Sequence, residues 1–140
     1  MPNTPTEVID GAIWLGPAPV STSGDLAFDG SSHLATLQAA GITHVVSCTP
    51  DMPFITAEQV GQASTVLGEF RVAVPDEDGA ADEIAGYFDP ATEFIDAAVK
   101  AGGKVYVHCE TGKSRSATIV LAYRVKCRGE SLRAASAPFL

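Results

Sequence analysis

Cys109 and Arg115 stand with five residues between them in the run His108-Cys109-Glu110-Thr111-Gly112-Lys113-Ser114-Arg115-Ser116. A thiol, an arginine and a short polar stretch suit one chemistry well: gripping a phosphate while attacking its phosphorus. If the chain bends here, the backbone N–H groups of Glu110 to Arg115 form a concave ring of donors, an anion nest. Gly112 suits a backbone conformation that a side chain would forbid. Arg115 adds a planar fork for two phosphate oxygens. A thiol held at a helix N-terminus beside cations ionises well below its usual value of about 8.5, so the expected species is a nucleophilic thiolate. His108 can hydrogen-bond and fix the loop. It is not assigned as a base, because a thiolate made by the local field needs none. The competing reading is a buried cysteine acting as a small hydrophobe, with the spacing to arginine a coincidence.

The elements around the run favour the chemical reading. Lys104–Val107 reads as a strand leading into the turn, and Ser116–Arg128 as a helix leading out of it. That helix is apolar or small nearly all round, so most of its circumference should be buried. Arg124, Lys126 and Arg128 sit where its dipole favours cations, and Gly129 is a natural stop. Upstream, Val8-Ile9 and Ile13-Trp14-Leu15 read as strands around an Asp10-Gly11 turn. Pro17–Gly30 reads as a loop. A helix is expected over His33–Ala40, capped by Ser31 or Ser32 and closed by Gly41. His44–Cys48 and Phe70–Val74 read as strands, with a modest helix over 57–67 between them. Asp76 to Glu83 reads as an acidic loop. Ile84–Ala101 keeps the apolar rhythm of one helix, ended by Gly102-Gly103. Strands alternating with helices predict a single-domain α/β fold with a central, mostly parallel sheet flanked by helices. Residues 1–6 are expected to fray.

Composition narrows the classes. The 140 residues, 46% hydrophobic and 19% charged, fit one soluble domain with a real core. A net charge of −8 argues against nucleic acid and against docking to an anionic membrane. It also means that any phosphate site must be locally positive. No apolar run is long enough to span a membrane, and the N-terminus does not read as a secretory signal. The three cysteines, Cys48, Cys109 and Cys127, are odd in number and scattered. They suggest neither a zinc site nor a disulfide framework, so a reducing cytoplasm is expected, with no metal or other cofactor.

The His108–Ser116 run resembles the H-C-x-x-G-x-S-R-S signature of the dual-specificity phosphatases, within the cysteine-based protein tyrosine phosphatase superfamily. The likeness extends to Ile13-Trp14-Leu15-Gly16, Gly41-Ile42-Thr43-His44-Val45-Val46, Tyr87-Phe88 and Phe94-Ile95-Asp96. It implies that residues 7–140 form a catalytic domain. It also implies phosphomonoester hydrolysis on phosphotyrosine, and on phosphoserine or phosphothreonine, through a phosphocysteine. By this resemblance Cys109 is the nucleophile and Arg115 the oxyanion clamp. Ser116 is the hydroxyl that steadies the departing thiolate, and an aspartic acid on a separate loop is the general acid. Family spacing favours Asp78, which is 31 residues before Cys109 and six before Ile84, with Asp76 as the second choice. Like charges clustered around it would raise its pKa, which suits an acid.

Two loop residues bear on the substrate. Lys113 resembles the basic loop position of phosphoinositide phosphatases, whereas Glu110 stands where those enzymes tend to carry a base. Phosphorylated protein is therefore the expected partner, ahead of polyanionic lipid. A phosphate-binding module without turnover is the alternative from another class; a rhodanese-like or arsenate-reductase-like enzyme fits less well. In some relatives a cysteine at the end of the neighbouring strand forms a reversible disulfide with the nucleophile, which makes Cys48 a candidate redox partner of Cys109. Cys127 is expected to be structural. Relatives continue through further C-terminal helices, whereas only residues 130–140 follow Gly129 here. Ser131 is expected to cap a short last helix. Either the chain is naturally minimal, or it is truncated, or a second subunit covers the gap; an exposed apolar patch near the C-terminus and some tendency to form a homodimer are expected.

Overall fold

The computed structural model describes residues 5–9, 11–20, 25, 30–51, 53–54, 68–74, 81–109 and 114–136. Among them the chain forms, in order, β1 (Thr6–Ile9), β2 (Ile13–Pro17), α1 (Gly30–Ala40), β3 (His44–Ser47), β4 (Gly68–Arg71), α2 (Ala81–Ala85), α3 (Phe88–Lys100), β5 (Val105–Cys109), α4 (Ser114–Cys127) and α5 (Leu132–Ser136). The strands make one sheet in the order β1-β2-β5-β3-β4. The pair β1–β2 is antiparallel, and every other pairing is parallel. The expected mostly parallel α/β sheet is present, with β5 at its centre.

Side chains alternate across a strand, and β5 uses both faces. Val105, Val107 and Cys109 point into the larger core, which α3 and α4 close with Ala91, Ile95, Ala98, Ala117, Ile119, Val120 and Tyr123. Tyr106 points the other way, against Leu34, Leu37 and Ile42 on and just after α1. On β3 the same alternation, carried one residue past the strand, puts Val46 and Cys48 on the Cys109 side and Val45 with Tyr106. Each fully buried aliphatic side chain here contributes about 1.5–3 kcal/mol of transfer free energy. The sheet is therefore a rigid base for whatever its C-terminal edge presents.

Gly16 must be glycine for steric reasons. A Cβ there would lie 2.7 Å from Tyr106 Oη and 2.9 Å from Pro5 Cα. With that space free, the Tyr106 hydroxyl donates to the Pro17 carbonyl. The bond ties β2 to β5 where Pro17 and Cys109 are register partners.

Several boundaries differ from those expected. Helix α1 starts at Gly30, so Ser31 and Ser32 lie inside its first turn and do not cap it. Strand β4 runs over Gly68–Arg71, not Phe70–Val74. Val72 N still bonds Ser47 O at 2.8 Å, but Val74 N then bonds Val72 O, a three-residue turn that takes the chain off the ladder. The expected helix 84–101 is two helices. Gly86 N and Tyr87 N bond back three residues to Glu83 O and Ile84 O, which tightens the chain into a turn between α2 and α3. Asp82 and Glu83 accordingly lie in α2 and not in an acidic loop. Helix α4 begins at Ser114, two residues earlier than expected. Strand β1 begins at Thr6, within the stretch expected to fray. The expected helix over 57–67 lies outside the described residues. Ser131 does cap the last helix, its Oγ accepting from Ala134 N at 3.1 Å. No helix among the described residues is long and apolar enough to cross a membrane.

Candidate active site

The C-terminal ends of parallel strands and the N-termini of the following helices are where open α/β sheets bind ligands. Cys109 is the last residue of β5, at that edge. Its carbonyl accepts from Ala18 N at 2.9 Å, so the backbone under the thiol is held from the β2 side. On the β3 side, Cys48 N donates to His108 O at 2.8 Å. The thiol itself is buried. Ser116, also buried, brings its Oγ to 3.3 Å from Cys109 Sγ. Because α4 begins at Ser114, Arg115 and Ser116 lie in its first turn, where backbone N–H groups lack partners within the helix and the positive end of the dipole is felt.

Arg115 is only 7% exposed. Its Nη1 donates to Val74 O at 2.6 Å, while its Nε is buried with no hydrogen-bond partner among the described residues. A buried guanidinium with an unspent donor is costly unless an anion completes it. Sequence reasoning missed the Val74 contact, and no residue type could have signalled it, because the acceptor is a backbone carbonyl. The contact ties the first turn of α4 to the segment that leads toward Asp76 and Asp78.

His108 lies on the opposite face of β5 from the thiol. Its ring tilts against Tyr106 with centroids 5.6 Å apart, and its Nδ1 is 3.4 Å from Cys109 O. Burial pushes its pKa down to about 4, with the Arg71 charge adding in the same direction, so the imidazole is neutral. Arg71 is itself fixed, Nη1 donating to Thr49 O at 2.9 Å and the guanidinium lying 4.7 Å over the Phe54 ring. Thr49 Oγ1 meets Ser47 Oγ at 2.8 Å, which completes a polar brace behind the site.

Cys48 shares the core cluster with Cys109. Its thiol is pushed up first by burial and then by electrostatic repulsion from the Cys109 position, with Arg115 opposing. Cys48 is therefore a protonated thiol within electrostatic reach of the nucleophile position. None of the three cysteines is in a disulfide. Cys127 is exposed, and its Sγ lies 3.9 Å from Thr92 O on α3.

The structure thus gathers Cys109, Arg115, Ser116, His108 and Cys48, with Ser114 opening α4. Glu110, Thr111, Gly112 and Lys113 lie outside the described residues, as do Asp76 and Asp78. Among the described residues no group of three His, Cys, Asp or Glu side chains could hold a metal ion.

Comparison with known proteins points the same way. The family model for the dual specificity phosphatase catalytic domain matches residues 26–138. Human dual specificity protein phosphatase 2 is 41% identical over 99 residues, covering 70% of this chain and 28% of the relative. The Drosophila melanogaster dual specificity protein phosphatase Mpk3 is 33% identical over 134 residues, covering 95% of this chain and again 28% of the relative. The chain therefore spans little more than a quarter of the length of these relatives. Among solved structures, that of human DUSP28 superposes with a TM-score of 0.70 at 29% identity, covering 96% of this chain and 78% of that one. A buried cysteine at the end of the central strand, a serine hydroxyl against its sulfur and an arginine in the next helical turn are thus carried on a matching fold and a matching sequence. The chain belongs to the dual specificity phosphatase family.

Proposed function

We propose that the protein hydrolyses phosphomonoesters of phosphoproteins, phosphotyrosine and also phosphoserine or phosphothreonine, through a phosphocysteine on Cys109. The observation that carries this reading is the 3.3 Å approach of Ser116 Oγ to Cys109 Sγ beside the buried, half-satisfied Arg115. In the first step the Cys109 thiolate attacks phosphorus, the S–P bond forms and the P–O bond to the leaving group breaks. Arg115 and the loop N–H groups of Glu110 to Ser114 take the charge of the phosphoryl oxygens. Asp78, with Asp76 as the alternative, donates its proton to the leaving oxygen. In the second step water attacks phosphorus, the same carboxylate takes its proton, and Cys109 leaves as a thiolate to which Ser116 Oγ–H donates. Phosphoryl transfer of this kind gains mostly from positioning and charge stabilisation, and the chemistry assigned here uses neither cofactor nor metal.

The proposed partner is a phosphorylated protein; the net charge of −8 disfavours nucleic acid. Three cysteines with no disulfide among them fit a reducing cytoplasm. Cys48 is proposed as the resolving thiol that protects Cys109. Peroxide oxidises the Cys109 thiolate to a sulfenic acid, and the Cys48 thiol then displaces water to form a disulfide.

Hydrolysis of an aryl phosphate by wild type, Cys109→Ser and Asp78→Asn tests the assignment. Wild-type turnover, lost in Cys109→Ser and cut by about 10²–10³-fold in Asp78→Asn, is expected. No wild-type turnover would leave a phosphate-binding module. A loss in Asp76→Asn in place of Asp78→Asn would move the acid to Asp76.

A further inference from the structure

Tyr106 is fully buried in β5, on the face of the sheet opposite the thiol. It sits in the smaller core cluster with Val20, Leu34, Leu37, Ile42 and Val45. A phenol hydroxyl in such company is costly unless it is hydrogen-bonded. It is bonded, to the Pro17 carbonyl, and Gly16 lacks the Cβ that would crowd it out. The peptide unit that accepts this bond makes a second one. Its carbonyl is that of Pro17 and its N–H is that of Ala18, and Ala18 N donates to Cys109 O at 2.9 Å. We propose that Tyr106 is a positioning residue for the nucleophile: through the Pro17–Ala18 peptide it holds the Cys109 backbone where β5 gives way to the loop, and so fixes the direction from which the sulfur attacks. The inference rests on the reading of Cys109 as nucleophile.

The sheet alone does not hold this peptide from both sides. The β1–β2 pairs end at Leu15, opposite Thr6, so the ladder with β1 stops short of Pro17. Tyr106 supplies a donor at that point. The carbonyl and the N–H of one peptide unit are conjugated, and hydrogen bonds in a chain polarise one another. A donor at Pro17 O therefore strengthens the bond that Ala18 N–H makes to Cys109 O. That bond is placed to matter, because Cys109 is both the last residue of β5 and the register partner of Pro17. On the β3 side the bond from Cys48 N reaches His108 O, one residue earlier. His108 Nδ1 approaches the Cys109 carbonyl only to 3.4 Å. Burial and repulsion from the Cys109 position push the Tyr106 pKa well above the ordinary phenol value, so the hydroxyl keeps the proton it donates. From the opposite face of the sheet Tyr106 acts on where the sulfur lies, and not on the affinity for phosphate.

The test is the rate at which iodoacetate alkylates Cys109, with aryl phosphate kinetics beside it. Alkylation is read by mass on the peptide that carries Cys109, which separates it from the exposed Cys127. Tyr106→Phe keeps the ring and removes only the hydroxyl. It is expected to slow alkylation by about tenfold and to lower kcat by a similar factor, with KM within about twofold of wild type, the pattern of a misplaced reacting group. Gly16→Ala, whose Cβ would lie 2.7 Å from Tyr106 Oη, attacks the same bond from the other side and is expected to act in the same direction. Tyr123→Phe removes another buried tyrosine hydroxyl, on α4, and is expected to leave both rates unchanged. Cys48, His108 and Arg115, the other titratable groups around the thiol, are kept in every variant. Rates are compared at a temperature where circular dichroism shows each variant folded. Alkylation at the wild-type rate in Tyr106→Phe would overturn the proposal. So would an equal slowing in Tyr123→Phe, which would mark a general loosening of the core, or a raised KM with kcat kept. Alkylation needs no turnover. A wild type that is alkylated at Cys109 but hydrolyses no aryl phosphate would therefore contradict the proposed activity alone, and the alkylation rates would still decide the role of Tyr106.

Discussion

At its N-terminal end α4 buries Arg115 and Ser116 against Val74 and Cys109, whereas at its C-terminal end it leaves Val125 in solvent beside Leu132. One end takes charge and hydroxyl out of water; the other gives apolar surface to it. Both arrangements cost free energy in the isolated chain, by desolvation in the first case and by hydration of apolar surface in the second. The remedy differs. A buried arginine whose Nε has no partner among the described residues calls for an anion, and an exposed leucine beside an apolar groove calls for apolar cover. The two ends of a single 14-residue helix therefore differ in what they leave incomplete, and substitutions should separate them.

The largest effects belong to the N-terminal end. Arg115→Ala is expected to lower turnover of an aryl phosphate by about 10²–10³-fold, the usual cost of removing a charge-stabilising donor. Thermal stability should change little, because a half-satisfied buried cation is removed. Ser116→Ala removes one hydrogen bond to a charged sulfur, worth about 1.5–3 kcal/mol, so a fall of about tenfold to a hundredfold is expected. That fall should come with accumulation of phosphoenzyme, because the second step is the one slowed. An equal fall in both steps, read by rapid quench, would remove Ser116 from its assigned role. Wild-type turnover in Arg115→Ala would break the contrast between the two ends altogether.

A smaller effect comes from the brace behind the site. Burial lowers the pKa of His108 from 6.5 to about 4 in the folded protein. Between those values the unfolded chain binds the proton more readily, so stability rises with pH. It should be complete above about pH 6.5 and be lost as pH falls toward 4, by something on the order of 3 kcal/mol. Denaturant melts at several pH values should show this slope, and His108→Gln should flatten it. An unchanged slope in His108→Gln would assign the acid lability elsewhere. The most conditional effect is that of Cys48. Peroxide inactivation is expected to be reversed by dithiothreitol in wild type and not in Cys48→Ser, while turnover without oxidant is similar in both. Equal recovery of the two would sink the disulfide.

How much of this is legible in the sequence follows from the kind of contact involved. Cys109, Arg115 and Ser116 sit close in sequence, and the strand–turn–helix unit that positions them is local, so residue types and spacing suffice. The pairing of β3 beside β5, which brings Cys48 alongside, follows from apolar runs and α/β alternation. What failed were boundaries set by tertiary or backbone bonds. Strand β4 leaves the ladder through the Val74–Val72 bond, and the helix ahead of β5 breaks at Gly86 although its apolar rhythm runs on. The hold on Arg115 comes from a carbonyl at Val74, which carries no side-chain signature. The C-terminal groove was foreseen as an exposed apolar patch.

The central claim is that Cys109 becomes covalently phosphorylated. Its most direct test is intact-mass and peptide analysis of wild type and Ser116→Ala quenched in acid during turnover of an aryl phosphate. The account predicts one phosphoryl adduct, located on the peptide that carries Cys109, more abundant in Ser116→Ala and absent in Cys109→Ser. Phosphate release at full rate by Cys109→Ser, or an adduct on any other residue, would contradict it.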